Sequence, residues 1–293
     1  MAVKMATTPV AERSIAAERS VLSDLARLPG LAAVGIPRLI DYLELGGRRS
    51  LVTTAMPGSP MTTRYHAWRH VATESAVRAD FAAAESWLAR FQSASSLNRA
   101  PLDMDGGRMG LLRRRFADDP MTEVLLDRLS SIYGHLSASS TPRTAVHGDF
   151  WFGNLLMTGP EITGVIDWEA GAATGEPVLD IVRFALSYAL YLDRHARTGT
   201  QVAGHPGLRA GEWGAGIVYA VDGRGWFPET VRDFVSGGLT RLGADPSIWR
   251  EALVAGLADV AATADHLDFA THHWKLFGRL TEASPAAATP SRA

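Results

Sequence analysis

The chain has 293 residues, a formal net charge of −2, 46% hydrophobic residues and 20% charged residues. This composition can supply the core of one large domain or two small ones, and without a basic excess it gives no reason to expect a nucleic-acid partner. The sequence contains no cysteine, no apolar run long enough to span a membrane and no signal peptide, which excludes disulfides and thiolate metal sites and is compatible with a cytoplasmic protein without a membrane partner.

The N-terminal residues predict a strand, a helix and a hairpin. Residues 2–5 look like the end of a strand, and apolar residues at helical spacing predict a helix at about 10–28 that ends before a Pro-Gly pair. A glycine pair at 46–47 is a turn signal between two β-prone segments, 35–42 and 50–55. We therefore expect a small antiparallel sheet.

The middle of the chain is mostly helical. Apolar periodicity predicts helices at 77–93 and 121–136, separated by a loop at 98–110 and a short helical segment at 111–116. That segment carries three consecutive arginines, which we interpret as a solvated helix face in preference to a phosphate-binding patch. Residues 143–146 predict a short strand.

The C-terminal part begins with a glycine-rich stretch at 201–225, which we expect to be a long loop or insertion. Helices are predicted at 226–242 and 246–257, and helical pattern continues over 258–280. Two Asp-His or His-His pairs in this last segment resemble no zinc motif, and we interpret them as a polar helix face. The pairs are Asp265-His266 and His272-His273.

The stretch 144–180 carries the residues on which a functional reading depends. Asp149, Asn154 and Asp167 lie among apolar segments that predict two strands, and residues 158–161 between the strands have turn chemistry. A hairpin at that turn folds Asp167 back beside Asn154. Oxygen ligands would then converge at one point, and oxygen is the ligand atom that Mg²⁺ prefers.

The pattern formed by these residues resembles the aminoglycoside phosphotransferase and choline kinase family of small-molecule kinases. The matching segments are His147-Gly148-Asp149, Asn154 five positions after that aspartate, and Ile166-Asp167-Trp168. The resemblance implies a protein-kinase-like α+β fold, with a truncated N-lobe sheet and a mainly helical C-lobe. It also implies ATP and Mg²⁺ as cofactors, and transfer of the γ-phosphoryl group to a hydroxyl of a small molecule.

The same resemblance assigns roles to the catalytic loop. Asp149 would accept or orient the proton of the acceptor hydroxyl, and Asn154 and Asp167 would bind Mg²⁺. Asp180, at the head of the next helix, would brace the loop by hydrogen bonds, although a plain helix N-cap is the alternative. His147 is interpreted as a structural ring that fixes the loop. Trp151 and Phe152 either pack under the loop, which we prefer, or face the acceptor.

On the nucleotide side, the resemblance implies that Lys4 holds the α- and β-phosphates and that Glu18 pairs with Lys4. The segment Thr54, Ala55 and Met56 corresponds to the hinge where backbone groups meet adenine. Only three residues precede Lys4, so the sequence shows neither the first two strands of the family's small lobe nor its phosphate-covering loop. Three explanations are open: the start of the sequence was placed too late, the chain is a fragment, or the protein really lacks the loop.

We predict a reduced N-lobe at 1–58, a helical C-lobe with the acceptor site at 59–283 and a disordered tail at 284–293. A non-catalytic kinase-like binding or scaffold protein is the competing hypothesis, supported by the missing phosphate loop. A protein kinase is weaker, because no A-P-E segment follows Asp167. The few carboxylates of the acceptor region do not favour polycationic aminoglycosides. The sequence identifies neither the acceptor nor the oligomeric state.

Overall fold

The computed structural model describes residues 1–282, so the tail predicted at 284–293 lies outside the described residues. The N-terminal part is a three-stranded antiparallel sheet covered by one helix, and the strand order is β1-β3-β2. The elements are β1 (Ala2–Met5), α1 (Pro9–Leu25), β2 (Leu39–Leu45) and β3 (Arg48–Thr53).

Local chemistry determines the ends of these elements. Helix α1 begins where Thr8 accepts a hydrogen bond from the Ala11 N–H at 3.1 Å, with proline in the first helical position. Strands β2 and β3 meet at Gly46 and Gly47, whose φ angles of 56° and 75° are those of a two-residue hairpin turn. The predicted strand, helix and hairpin are confirmed.

The rest of the described chain, up to residue 282, consists of helices with three small antiparallel sheets, β4-β8-β9, β5-β6 and β7-β10. The elements are β4 (Ser59–Pro60), α2 (Met61–Tyr65), α3 (Glu74–Ala94), β5 (Arg99–Pro101), α4 (Arg108–Arg115), α5 (Thr122–Leu136), β6 (Ser140–Pro142), β7 (Thr144–Val146), β8 (Leu155–Thr158), β9 (Glu161–Val165), β10 (Ala172–Gly175), α6 (Val178–Leu190), α7 (Ala215–Asp222), α8 (Trp226–Arg241), α9 (Trp249–Thr263) and α10 (Leu267–Glu282).

The main hydrophobic cluster connects α1 with the C-terminal helices. Leu22 and Leu25 of α1 belong to it, and so do residues of every helix from α3 to α10. Helix α9 lies inside this core, because all its residues from Ala252 to Ala262 are buried. A second, small cluster of Ala6, Ile15 and Leu51 lies between α1 and the N-terminal sheet.

Three predictions of secondary structure differ from the structure. The stretch 201–225 is not all loop, since α7 lies within it and buries Ile217 and Tyr219. The loop predicted at 98–110 includes β5 and the first turn of α4. The helical pattern at 258–280 is interrupted, because α9 ends at Thr263 and α10 begins at Leu267. Within residues 1–282, no helix combines the length and apolarity needed to cross a membrane.

The arginine run of α4 is only partly a solvated face. Arg113 forms an exposed ion pair with Glu123, with Nε 2.9 Å from Oε1. Arg115 instead donates to the carbonyl oxygens of Ala261 and Ala262 at the end of α9. These carbonyls lack partners within their own helix, so Arg115 stabilises the C-terminus of α9.

Candidate active site

A loop between β7 and β8 carries the predicted catalytic residues. Strand β7 is buried at all three positions and pairs with β10, which fixes where the loop begins. Gly148 has a φ of 76°, and a Cβ atom at this position would overlap the carbonyl oxygen of Ala170. Glycine is therefore required both by the left-handed backbone and by the close approach of a neighbouring segment.

Asp180 braces this loop from the first turn of α6. Its fully buried carboxylate accepts hydrogen bonds from the backbone N–H groups of His147 at 2.7 Å and Gly148 at 2.9 Å. Burial raises the pKa of Asp180 to about 7, while the two N–H donors act in the opposite direction. The alternative of a plain N-cap is wrong, because the residue at the N-cap of α6 is Pro177.

His147 holds two backbone segments together. Its ring is buried, with Nε2 2.9 Å from the carbonyl oxygen of Ile166 and Nδ1 3.2 Å from the backbone nitrogen of Asp149. Nε2 therefore carries the proton and Nδ1 accepts, and burial lowers the pKa of the ring, which favours this neutral form. These contacts have the structural character that the sequence predicted for His147.

The carboxylate of Asp149 receives hydrogen bonds at both oxygens. Asn154 Nδ2 lies 3.2 Å from Oδ2 and also donates to the Asp149 carbonyl oxygen at 3.0 Å. Arg183 of α6 binds Oδ1 through Nε at 3.0 Å and Nη2 at 2.5 Å. Arg183 was not predicted, although it is the only charged side chain in the apolar run 181–192.

Asp167 follows the β8–β9 hairpin and contacts Lys4. The hairpin turns at 158–161 as predicted, and Ile166 N donates to Asn154 O at 3.0 Å, so the backbone beside Asp167 adjoins Asn154. Asp167 has a φ of 65°, an uncommon conformation for a residue other than glycine. Such strain is frequent where side chains are held for function.

Lys4 of β1 joins two carboxylates from distant parts of the chain. Its Nζ atom forms ion pairs with Asp167 Oδ1 and, at 2.5 Å, with Glu18 Oε2 of α1. Burial alone would lower the pKa of Lys4, but the bonds to Asp167 and Glu18 raise it above its usual value, so the amine is charged. Glu18 is almost completely buried and also accepts from Trp168 N at 3.4 Å. The predicted Lys4–Glu18 pair is thus present in the structure.

The side chains nearest Asp167 form a candidate cation site. Carboxylate oxygens of Glu18, Asp167 and Glu169 lie within 4.8 Å of one another. Although the Glu169 side chain is exposed, partial loss of hydration raises its pKa, and the neighbouring carboxylates of Asp167 and Glu18 act in the same direction. Hard oxygen donors of this kind fit Mg²⁺. Glu169 was not predicted as a site residue; in the segment Ile166 to Glu169 the sequence prediction assigns a role to Asp167 alone.

The predicted hinge follows β3. Thr54 N donates to Arg38 O at 2.9 Å, and Arg38 N donates back to Thr54 Oγ1 at 2.9 Å. The Thr54 N–H group is therefore already hydrogen-bonded within the protein. Ala55 is exposed, and Met56 packs against Gly164 of β9.

A cavity of about 230 Å³ opens beside Asp149. Its walls come from the catalytic loop and from helices α6, α9 and α10. Trp151 lines this cavity, whereas Phe152 is buried and stacks on Tyr65 with ring centroids 4.4 Å apart. The preferred prediction that both rings pack under the loop is therefore right for Phe152 and wrong for Trp151.

His273 of α10 also lines the cavity, so the prediction of a polar surface face is wrong for this residue. Only 2% of His273 is exposed, and its Nδ1 atom lies 2.8 Å from the carbonyl oxygen of Phe269. Burial lowers its pKa to about 4. The neighbouring His272 is exposed, as predicted.

Comparison with known proteins assigns the family. Residues 1–213 match the model of the phosphotransferase enzyme family. The chain belongs to this family. The match includes Lys4, Glu18 and the whole stretch 144–180, so the resemblance expected from the sequence is confirmed. The fold is the family's kinase-like α+β fold with a helical C-terminal part.

Several solved structures are similar to this family member. A thermostable mutant of aminoglycoside phosphotransferase APH(4)-Ia, in ternary complex with ADP and hygromycin B, has 14% identity and a TM-score of 0.49, over 92% of this chain and 83% of that chain. An aminoglycoside-3'-phosphotransferase of type VIII has 18% identity and a TM-score of 0.46, over 85% and 83%. A macrolide 2'-phosphotransferase from Brachybacterium faecium has 17% identity and a TM-score of 0.48, over 97% and 84%. None of the curated proteins matches the sequence.

Proposed function

We propose that this protein transfers the γ-phosphoryl group of MgATP to a hydroxyl group of a small molecule. The main support is the position of Asp149, whose carboxylate lies in the wall of a cavity while the hairpin that follows it carries Asp167 to Lys4 and Glu18. An acceptor in the cavity would thus meet a base. A nucleotide bound beside Lys4 and Asp167 would meet the cation of Lys4 and a cluster of carboxylates that could hold Mg²⁺. Phosphoryl transfer needs both kinds of group.

In this proposal the acceptor oxygen attacks the γ-phosphorus and the bond from that phosphorus to the β–γ bridging oxygen breaks. ADP leaves, and Asp149 takes or orients the hydroxyl proton. Arg183 and Asn154 hold the Asp149 carboxylate in one orientation from both sides, which restricts its rotation before the acceptor binds. Holding reacting groups in place is a large part of the rate enhancement in reactions of this kind.

Asp167 and Asn154 are the proposed ligands of Mg²⁺, with Glu18 and Glu169 close to Asp167. The Asn154 amide donates its N–H group to Asp149, so its amide oxygen is the atom available to a cation. Bound Mg²⁺ supplies neutralisation of phosphate charge. Lys4 would bind the α- and β-phosphates, and the backbone of Thr54, Ala55 and Met56 would receive adenine.

The proposed roles also support the predicted division of the chain. Lys4, Glu18 and the hinge belong to residues 1–58, whereas the cavity and Asp149 belong to residues 59–283. The nucleotide and the acceptor would then approach the catalytic loop from different parts of the chain, as they do in kinases.

The test is calorimetric titration of the protein with ATP, with and without Mg²⁺, followed by ADP release in the presence of hydroxylated acceptors. We expect metal-dependent binding of ATP. Asp149→Asn should retain this binding and lower acceptor-dependent turnover by about 10²–10⁴-fold, because it removes the base and leaves Lys4, Glu18 and Asp167 unchanged. Asp167→Asn should weaken ATP binding itself in the presence of Mg²⁺.

Glu161→Gln provides a matched control, since Glu161 is an exposed carboxylate on the same hairpin and away from the site. It should behave like the unchanged protein in both assays. Equal turnover by Asp149→Asn and the unchanged protein would overturn the proposed role of Asp149. MgATP binding without turnover of any acceptor would favour a non-catalytic binding protein instead.

A further inference from the structure

We propose that the acceptor is an uncharged alcohol with an apolar, ring-containing body. This inference rests on the proposed function and adds the chemical class of the acceptor. It is carried by the cavity beside Asp149, where the lining residues that the structure describes are mainly apolar and leave no permanent charge unpaired.

The charges of the cavity wall compensate each other. Among the described residues that line it, Asp149 is the only carboxylate and Arg183 the only permanent cation. The two side chains are bound to each other, with Arg183 Nη2 2.5 Å from Asp149 Oδ1. The acceptor therefore meets a neutral ion pair, and within residues 1–282 the wall offers no second carboxylate to bind an ammonium group.

His273 adds no charge near neutral pH. Its pKa is lowered to about 4, first by burial and also by the nearby Arg183. With Nδ1 donating to the Phe269 carbonyl oxygen, the remaining ring nitrogen, Nε2, is an acceptor of hydrogen bonds. A hydroxyl proton is a suitable partner for such a nitrogen, whereas a carboxylate is not.

The rest of the wall is apolar. Three aromatic side chains and three aliphatic side chains form it, and one serine hydroxyl, that of Ser187, lies among them. The aromatic residues are Trp151, Tyr191 and Phe269, and the aliphatic ones are Leu186, Leu190 and Val260. Apolar surface of this kind gains free energy when it covers an apolar ligand, and aromatic side chains are favourable neighbours for a flat ring.

The size of the cavity limits the acceptor as well. At about 230 Å³ it is smaller than the roughly 300–1,000 Å³ of pockets that enclose drug-sized ligands. A compact alcohol fits inside it, or a larger molecule enters with the ring that bears the hydroxyl group.

Charged acceptors are disfavoured by the same wall. Among the described residues of the wall, Asp149 and Arg183 are already paired, so neither an ammonium nor a carboxylate group would find an unpaired opposite charge to replace the hydration that it loses. The site would therefore discriminate in two ways: it leaves the charge of a wrong ligand without a partner, and it covers the apolar surface of the right one.

The test uses three probes that share one benzyl alcohol framework and differ in the charge of the para substituent. They are para-methylbenzyl alcohol, para-(aminomethyl)benzyl alcohol and para-(hydroxymethyl)benzoate. Binding is measured by calorimetry and ligand-observed NMR with MgATP present. We expect the uncharged probe to bind in the millimolar range and at least about 10-fold more tightly than either charged probe, a difference of about 1.4 kcal/mol. No binding of the uncharged probe, or equal or tighter binding of a charged one, overturns the inference.

Two variants at Ser187 locate the effect in the cavity. Ser187→Asp adds a carboxylate to the wall without filling it and should shift the preference towards the aminomethyl probe. Ser187→Asn has nearly the same size and no charge, and should keep the preference for the uncharged probe. If Ser187→Asp does not fold, the wild-type protein and Ser187→Asn still test the inference. Both must bind the uncharged probe more tightly than either charged probe.

The result is separable from that of the proposed function. MgATP binding is titrated in the absence of any probe. If ATP binds only in the presence of Mg²⁺ and the predicted order of probes fails, the inference about the acceptor is wrong and the phosphotransfer proposal stands. If the order of probes is as predicted but no ATP binds, the cavity selects uncharged alcohols and the phosphotransfer proposal is wrong.

Discussion

The buried His273 contributes to the response of the protein to acid. The ring is buried in the cavity wall, and its folded-state pKa of about 4 lies below the ordinary value of 6.5. Between these two values the unfolded chain binds more protons at this residue than the folded chain does. The free energy of unfolding therefore falls as the pH is lowered through that window.

This effect predicts a difference between the wild-type protein and His273→Gln, which cannot titrate at this position. From pH 6.5 towards pH 4, the wild type should lose up to about 1.4 kcal/mol of stability per pH unit relative to the variant. Urea denaturation at several pH values measures the two stabilities. Other groups, including Asp180, are present in both proteins and cancel in the difference. Parallel pH curves for the two proteins would contradict the burial effect.

The sequence predicted those site residues whose roles follow from spacing and family resemblance. The Lys4–Glu18 pair and the contacts of Asp180 and His147 are present in the structure, whereas the binding of ATP and Mg²⁺ stays a prediction. Arg183 and His273 were missed as site residues. His273 reaches the cavity only through the packing of α10, which is distant in sequence, and Arg183 lies one turn beyond Asp180 in a run that the sequence predicts only to be buried. A charge within the apolar run of α6 was the one available signal for Arg183.

At the scale of elements, the catalytic loop depends on the backbone of Gly148. Gly148→Ala should lower the free energy of unfolding by more than about 2 kcal/mol, since it combines a left-handed backbone with an overlap against Ala170. It should also abolish acceptor-dependent turnover, because the loop N–H groups held by Asp180 would move. Urea denaturation and ADP release measure the two effects.

Gly159→Ala is the matched control for that substitution. Gly159 has a φ of 60° at the β8–β9 turn, and a Cβ atom there would have no neighbour within 4 Å. Its cost should be limited to backbone strain of about 1 kcal/mol, and turnover should persist. Similar losses in the two variants would show that overlap with Ala170 contributes nothing.

Elements were predictable where local chemistry determines them. The two hairpins have glycine turns, and α3 and α5 have regular apolar spacing over several turns, so sequence and structure agree. Helix α7 was missed because its eight residues lie in a glycine-rich stretch. Tertiary packing requires one of those glycines, Gly216, because a Cβ atom there would overlap the carbonyl oxygen of Ala189 in α6. Composition alone cannot distinguish such a packing glycine from a loop glycine.

At the scale of the whole molecule, stability is unevenly distributed. The N-terminal sheet has an edge strand, β1, and a separate core of three buried residues, whereas α9 is enclosed by the main cluster. Regions with few buried apolar contacts open at lower free energy than the core does. The strand that carries Lys4 thus belongs to the less stable part.

Hydrogen exchange measured by mass spectrometry tests this distribution. Peptides from β1 and β3 should exchange about 100-fold faster than peptides from α9, which corresponds to a difference of about 3 kcal/mol in opening free energy. MgATP should slow exchange in β1, with ATP in the presence of a chelator as the control. Equal protection of β1 and α9 would contradict the unequal stability inferred here.

Helix α6 has a consequence for how the substrate range of such a protein could diversify. Asp180 in its first turn holds the catalytic loop, and Arg183 one turn later holds Asp149, while Ser187 and Leu190 on the following turns form cavity wall. These positions recur at helical spacing, so they share one face of a rigid rod. If the proposed function holds, substitutions in the later turns of α6 would change which acceptor binds, while the first two turns would keep Asp149 and the loop that carries it in place.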